Sequence, residues 1–174
     1  MEVGGVHGLQ DCPAPAISVS ADAEEGSIAS AAALEQPLPY LTTAVMAACS
    51  GLTVVEGEVV GDPLEKASLQ AIRWLMIGPD LVTSKPTKGG DRIQILRRFP
   101  FVSELQRMSV LVRHQGPGIG HLQTAPSGAR TDFDRLLSLV KGSCETLRPR
   151  LKEVPANFDK LQEKLTKSGF RVLC

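Results

Sequence analysis

Aromatic side chains are scarce in this chain: one Trp, one Tyr and five Phe among 174 residues. Any stacking contact must draw on very few positions, which counts against an RNA-recognition surface built from interleaved rings. Basic residues are missing from the first 65 positions, which hold ten acidic side chains and no Lys or Arg. That start lacks the basic region and apolar core of a signal peptide. Close cysteine pairs are missing too. Cys12, Cys49, Cys144 and Cys174 form no C-x-x-C, and His7, His114 and His121 have no helical metal spacing. No zinc site is expected, and the thiols are expected to be free in a reducing compartment. An unbroken membrane-length apolar run is absent as well. The twenty uncharged residues between Glu35 and Glu56 are interrupted by Pro37, Pro39, Thr42, Thr43, Ser50 and Gly51, too polar and too broken for a membrane helix.

What is present is ordinary globular material, 43% hydrophobic and 22% charged, in a length that suits a single domain. The net charge of zero conceals a split. Residues 66 to 174 carry nineteen basic and nine acidic side chains. That surplus suits an anion such as a nucleotide, an anionic protein or RNA, and equally a solvated face.

Patterning gives the organisation. Glu2 to Leu9 alternates as a short strand would. Residues 10–36, rich in Ala, Ser, Pro and acid, bury too little to offset ordering and read as a flexible loop. Leu38 to Ser50 reads as a helix. Leu52 to Val55 and Glu58 to Val60 flank Glu56-Gly57 as a hairpin. Asp62-Pro63-Leu64-Glu65 has an N-cap acceptor, a proline at the first helical position and a capping-box glutamate. Leu64, Ala67, Ala71, Ile72 and Leu75 then fall on one helical face over about four turns, up to a stop at Gly78-Pro79. From Ile93 the period becomes two. Ile93, Ile95, Arg97, Phe99 and Phe101 share a strand face, Met108, Val110 and Val112 follow after a turn at Ser103 to Gln106, and a third strand runs from about Phe133 to Val140. Helices near Glu145 to Leu151 and Ala156 to Ser168, a cap at Gly169 and a last strand Phe170 to Leu173 complete the chain. Without regular βαβ alternation, this predicts an α+β fold, a twisted antiparallel β-sheet flanked by helices.

Tempting chemical motifs fail. Gly116-Pro117-Gly118-Ile119-Gly120 has no helix after it, and Lys88-Gly89-Gly90 lacks the order of a phosphate loop. No nucleophile elbow and no Ser/His/Asp set is found. The local sequences go further. Gly61-Asp62-Pro63-Leu64-Glu65-Lys66-Ala67, the run from Arg98 to Val110 (R-F-P-F-V-S-E-L-Q-R-M-S-V) and Val140-Lys141-Gly142-Ser143-Cys144-Glu145-Thr146-Leu147 occur in that order. Together they resemble the nucleotide-binding domain of P-type ATPases, closest to the type V enzymes, subgroup A, of the endoplasmic reticulum. Gly4 to Leu9 and Arg171 to Leu173 resemble the segments that open and close that domain, so the resemblance spans the whole chain.

The resemblance implies one nucleotide-binding domain, residues 1–174, of a multi-pass membrane ATPase, lying on the cytosolic face of the endoplasmic reticulum. The ligand would be ATP, with Mg held mainly outside this domain, and the partners would be the phosphorylation and actuator domains of the parent rather than nucleic acid. Phe101 matches the adenine-stacking ring, Lys141 the lysine that closes the adenine pocket, Gly142 the glycine that lets backbone approach the base, and Glu65 the acceptor for the adenine amino group. Arg171 matches an arginine that reaches the phosphates, and Ser103, Gln106, Met108 and Leu173 complete the implied ATP-binding set. Gln106 stands where the family usually has lysine, so restoring a lysine there is expected to strengthen ATP binding. Ser143-Cys144 replaces Ala-Pro. The Asp-Lys-Thr-Gly-Thr phosphorylation motif is absent from the sequence, so no residue is assigned a catalytic role and the chain by itself is expected to bind ATP without cleaving it. A rival reading, from charge alone, is a non-catalytic module whose basic half binds an anionic protein or RNA.

Overall fold

A computed structural model of the chain describes residues 38–84, 90–116 and 135–174 in full, together with the backbone of residues 2–3, 17–18 and 134. The expected flexible loop, 10–36, lies outside the described residues except at Ile17–Ser18 (β2), which pairs antiparallel with Glu2–Val3 (β1).

Helix α1, Tyr40–Ala48, and the hairpin of β3, Thr53–Val55, with β4, Glu58–Val60, lie where the sequence places them. Helix α2, Pro63–Ala71, starts as its cap predicts: Asp62 Oδ1 accepts from the Leu64 N–H at 2.8 Å and the Glu65 N–H at 3.2 Å. Its end differs from expectation. The helix stops at Ala71 instead of running to Leu75. Arg73 takes a left-handed conformation, φ +56°, and the Trp74 N–H returns to the Leu69 carbonyl at 3.2 Å, closing off the helix as C-terminal caps do. Leu75–Gly78 is therefore a strand, β5, turned about Pro79-Asp80 onto β6, Leu81–Thr83. Leu75 fits a helical spacing only by coincidence of period.

Strands β7, Arg92–Val102, β8, Arg107–Gln115, and β9, Asp134–Gly142, complete a five-stranded antiparallel meander in the order β5-β6-β7-β8-β9. The chain closes with the short helix α3, Cys144–Leu147, a 3-10 turn at Arg148–Arg150, and helix α4, Phe158–Lys167. Gly169, at φ +84°, lies just past α4 as expected of its cap. The expected final strand reduces to a single bridge, Ser143 to Leu173. Polar pairs attach α4 to α3: Arg148 grips Asp159 with two N–H groups at 2.5 and 2.6 Å, and Gln162 donates to Glu145 at 2.7 Å.

The core lies on one face of the sheet. Ala44, Ala47, Ala48 and Cys49 of the α1 region, with Leu52, Leu69 and Trp74, pack on Val82, Ile93, Ile95, Met108, Val110, Val112 and Leu139. Small residues on α1 let its backbone lie close to the strands, which is why an apolar helix with three buried alanines fits there. The result is α+β, a mostly antiparallel sheet with flanking helices, compatible with the nucleotide-binding domain of P-type ATPases.

Strand β7 does not keep one face throughout, contrary to the simple alternation. Ile95 pairs with Val112 but Arg97 pairs with Leu111, so a bulge intervenes. Arg97 and Phe99 thereby leave the core face, and Phe99 is 48% exposed. Arg98 instead aligns with buried Val110 and ties the tip of the β5–β6 turn, bonding Asp80 and, at 2.6 Å, the Pro79 carbonyl. A second irregularity lies between Phe99, opposite Ser109, and Val102, opposite Arg107. It restores Phe101 to the face shared by Met108 and Lys141, because Arg107 and Val102 occupy the opposite one.

Candidate functional site

The site forms where the start of α2 meets the ends of β8 and β9. The α2 cap aims Glu65 at the sheet. Its carboxylate does not return to Asp62 as a capping box would. Oε1 accepts from Lys141 Nζ at 2.7 Å and Oε2 from the Gly51 N–H at 2.8 Å. One side chain thus joins three segments: the turn after α1, the first turn of α2 and the end of β9. The Glu65 and Lys141 side chains are only 18% and 19% exposed, so neither charge has much water to fall back on and each depends on the other.

Lys141 stands directly opposite Met108 across the β8–β9 ladder. Met108 is buried and belongs to the core, so it offers the floor of the site. Beneath it, the Cys49 thiol lies 3.7 Å from the carbonyls of both Met108 and Leu139. Burial pushes that thiol up to about 11, with Lys141 partly opposing the shift. It stays protonated and serves as packing. Phe101, on the same sheet face as Met108 and Lys141 by register, is 55% exposed. A ring on the core side of a strand but open to solvent presents a face that the fold leaves uncovered.

A second set of contacts frames the same edge. Gln106 ends the β7–β8 turn in a left-handed conformation, φ +47°. Its amide oxygen accepts from Ser143 Oγ at 3.2 Å and Thr146 Oγ1 at 3.3 Å, while its backbone carbonyl accepts from the Ser143 N–H at 3.0 Å. Ser143 is also the N-cap of α3. Gln106 and Ser143, two of the positions at which the sequence departs from the pattern that it resembles, are partners. A lysine at 106 cannot accept from either hydroxyl. Gln106→Lys is therefore expected to lower stability by about 0.5–1.5 kcal/mol, measured by denaturant unfolding, whatever it adds to the affinity for an anion. Unchanged stability would show that these bonds are exchanged freely for water.

Gly142 has no room for a side chain: a Cβ built on it would lie 2.6 Å from the Gln106 carbonyl oxygen and 2.7 Å from Arg107 Cβ. Its N–H and carbonyl both bond Cys174, at 3.0 and 2.9 Å. Leu173 is placed beside Ser143 by the bridge. Ser103, in the exposed β7–β8 turn, and Arg171, also exposed, stand outside this network among the described residues. The structure thus gathers Glu65, Met108, Lys141 and Phe101 on one side and Gln106, Gly142 and Leu173 around the β8–β9 end. Gly51, Ser143 and Thr146 enter as supports that sequence reasoning missed. The serine had a signal, since Ser143 precedes Glu145 and an apolar residue as an N-cap does. Gly51 acts through its backbone, which no pattern reveals.

Comparison with known proteins agrees with the motifs. No protein-family model matches the chain. It is similar to the probable manganese-transporting ATPase PDR2 of Arabidopsis thaliana, 33% identical over 99% of this chain and 12% of that protein. It is also similar to the endoplasmic reticulum transmembrane helix translocase of Saccharomyces cerevisiae, 35% identical over 78% of this chain and 10% of that protein. A third relative is the polyamine-transporting ATPase 13A3 of Mus musculus, 32% identical over 75% of this chain and 12% of that protein. The chain spans only about an eighth of the length of such relatives, and it belongs, as a segment, to the type V P-type ATPases.

Proposed function

We propose that this chain is the nucleotide-binding domain of an ATP-driven membrane transporter. It holds ATP and presents the γ-phosphate to an aspartate on a separate phosphorylation domain. The observation that carries the reading is the placement of a solvent-open ring, Phe101, on the sheet face that also carries Lys141, which Glu65 meets from α2. An adenine against Phe101 gains a stacking face. The polar edge of the base meets a carboxylate that accepts and an ammonium that donates. The relatives sharing this segment are named for different cargoes: manganese, transmembrane helices and polyamines. A segment common to all of them suits the shared energy-supplying step rather than the choice of cargo.

Among the described residues there is no group of three or more His, Cys, Asp or Glu able to hold a metal ion. The Mg²⁺ that accompanies ATP is assigned, by the resemblance to the family, to the phosphates and to the parent's other domains. No described helix is long and apolar enough to cross a membrane. Two relatives are named for the endoplasmic reticulum, which supports that membrane as its location, with the phosphorylation and actuator domains as neighbours.

The test is titration of the chain with ATP followed by backbone and side-chain chemical shifts. Localised shifts at Phe101, Lys141, Glu65 and Gly142 are expected. A diffuse response over the basic residues would replace the reading with a general anion-binding face. Phe101→Ala is expected to weaken ATP binding by about 1–2 kcal/mol, roughly 5- to 30-fold, while the melting temperature changes little because the ring is more than half exposed. Unaltered affinity in the folded variant removes Phe101 from the site, and unfolding would assign the ring to the core.

A further inference from the structure

The C-terminal residue returns to the edge of the candidate site, and it brings a thiol with it. Cys174 pairs with Gly142 through both backbone bonds, and its Sγ lies 3.7 Å from Sγ of Cys144, the first residue of α3. Both thiols are free. Twenty-nine residues separate them in sequence, yet the bridge between Ser143 and Leu173 holds the two stretches antiparallel and adjacent. Oxidation must bring the sulfurs from 3.7 Å to the bonded distance of about 2.0 Å. Cys49, the remaining described cysteine, is enclosed by two carbonyls instead.

We propose that Cys144 and Cys174 are a redox-modification site, forming a reversible disulfide that latches the C-terminal segment onto the end of β9. The oxidant is a small disulfide such as oxidised glutathione. Cys174 is the more accessible of the two, Cys144 being buried. The Cys174 thiolate attacks one sulfur of the oxidant, forming a mixed disulfide and expelling a glutathione thiolate. The Cys144 thiolate then attacks Cys174 Sγ, which breaks the mixed disulfide and expels the second glutathione thiolate. Two electrons and two protons leave the cysteine pair, and the oxidant ends as two thiols. Burial raises both thiols, Cys144 up to about 12. The exchange is therefore slow at neutral pH and quickens as pH rises, and a brief oxidant pulse leaves the site reduced.

The consequence is local. The stretch that carries Arg171 and Leu173 joins the end of β9 through the Gly142–Cys174 backbone bonds and the bridge at Ser143. A covalent link beside these bonds limits local opening there and fixes the backbone of Gly142.

The test incubates the full chain with oxidised glutathione at neutral and mildly alkaline pH, then reads intact mass, tryptic peptides and amide exchange. The expected product has lost two hydrogens, and its peptide 142–150 is joined to 172–174. The Gly142 and Cys174 amides exchange more slowly, and the melting temperature rises by roughly 7–15 °C as closure of a loop of this length predicts. Reductant reverses all three. In Cys144→Ser, oxidation is expected to halt at a glutathione adduct on Cys174. A stable adduct on Cys174 in the unmutated chain, linkage through Cys12 or Cys49, or no reaction of the folded chain at either pH would each overturn the proposal.

Discussion

Glu65→Leu is expected to destabilise the fold by about 2–4 kcal/mol, the range for stripping one partner from a largely buried ion pair. Leucine approximates the volume of the glutamate but accepts no hydrogen bond. The Lys141 ammonium, four-fifths buried, then loses its counter-charge, and the Gly51 N–H loses the oxygen at 2.8 Å that satisfies it. The second loss alone costs about 1–3 kcal/mol if water cannot reach the amide. The double variant Glu65→Leu with Lys141→Met removes both charges together and leaves only the Gly51 amide orphaned. It is expected to recover at least half of the loss, since a matched apolar pair often replaces a buried ion pair without penalty. Chemical unfolding of the parent, both single variants and the double variant measures the coupling. Additive losses would mean that the two side chains are separately solvated and that the 2.7 Å contact does not bind α2 to the sheet. Loss of ATP affinity in the folded double variant would further support the pair as part of the pocket.

How far the site could be read in advance divides by the kind of signal each residue leaves. Asp62, Pro63 and Glu65 advertise a helix start, and α2 begins there. The apolar positions Ile93, Ile95, Met108, Val110 and Val112 alternate, and all five are buried. Such signals repeat along the chain and therefore survive local disturbance. The β-bulges on β7 leave no repeat. A single inserted residue between Ile95 and Arg97, and another before Val102, each reverse the facing of everything that follows. That is why alternation alone puts Phe99 and Phe101 on the same side and the register puts them on opposite sides. The strand β5 was hidden for a different reason. Its leucine happens to extend the helical spacing of α2, and the change of direction depends on Arg73 adopting a conformation that its residue type seldom takes. The Glu65–Lys141 contact joins positions seventy-six apart and had no signature in spacing at all. Only the resemblance to the ATPase family named both residues, and it assigned them to a ligand rather than to each other.

The largest single loss is expected from Gly142→Ala. The added Cβ would lie 2.6 Å from the Gln106 carbonyl oxygen, 2.7 Å from Arg107 Cβ and 3.0 Å from Arg107 Cα. All three neighbours belong to backbone or its first side-chain atom, so no flexible tip can swing aside. Relief requires β8 and β9 to part, and the parting breaks bonds on both sides of the glycine. The Ser143 N–H loses the Gln106 carbonyl, the hydroxyls of Ser143 and Thr146 lose the Gln106 amide oxygen, and the paired bonds to Cys174 are displaced. A cost of about 3–5 kcal/mol is expected, at or above the upper end for overpacking because hydrogen bonds go with it. The melting temperature should fall by roughly 6–20 °C for a chain of this size. Gly78→Ala serves as the comparison: a Cβ there meets nothing within 4 Å, and its effect should stay within about 0.5–1 kcal/mol. Amide exchange should locate the damage in Gly142→Ala, with Ser143 and Cys174 opening first and the β7–β8 ladder around Ile93 and Val112 keeping its protection. Equal stability of the two alanine variants would show that the strands yield at this point. The glycine would then be needed for approach of a ligand, as the family motif implies, and not for the approach of Gln106.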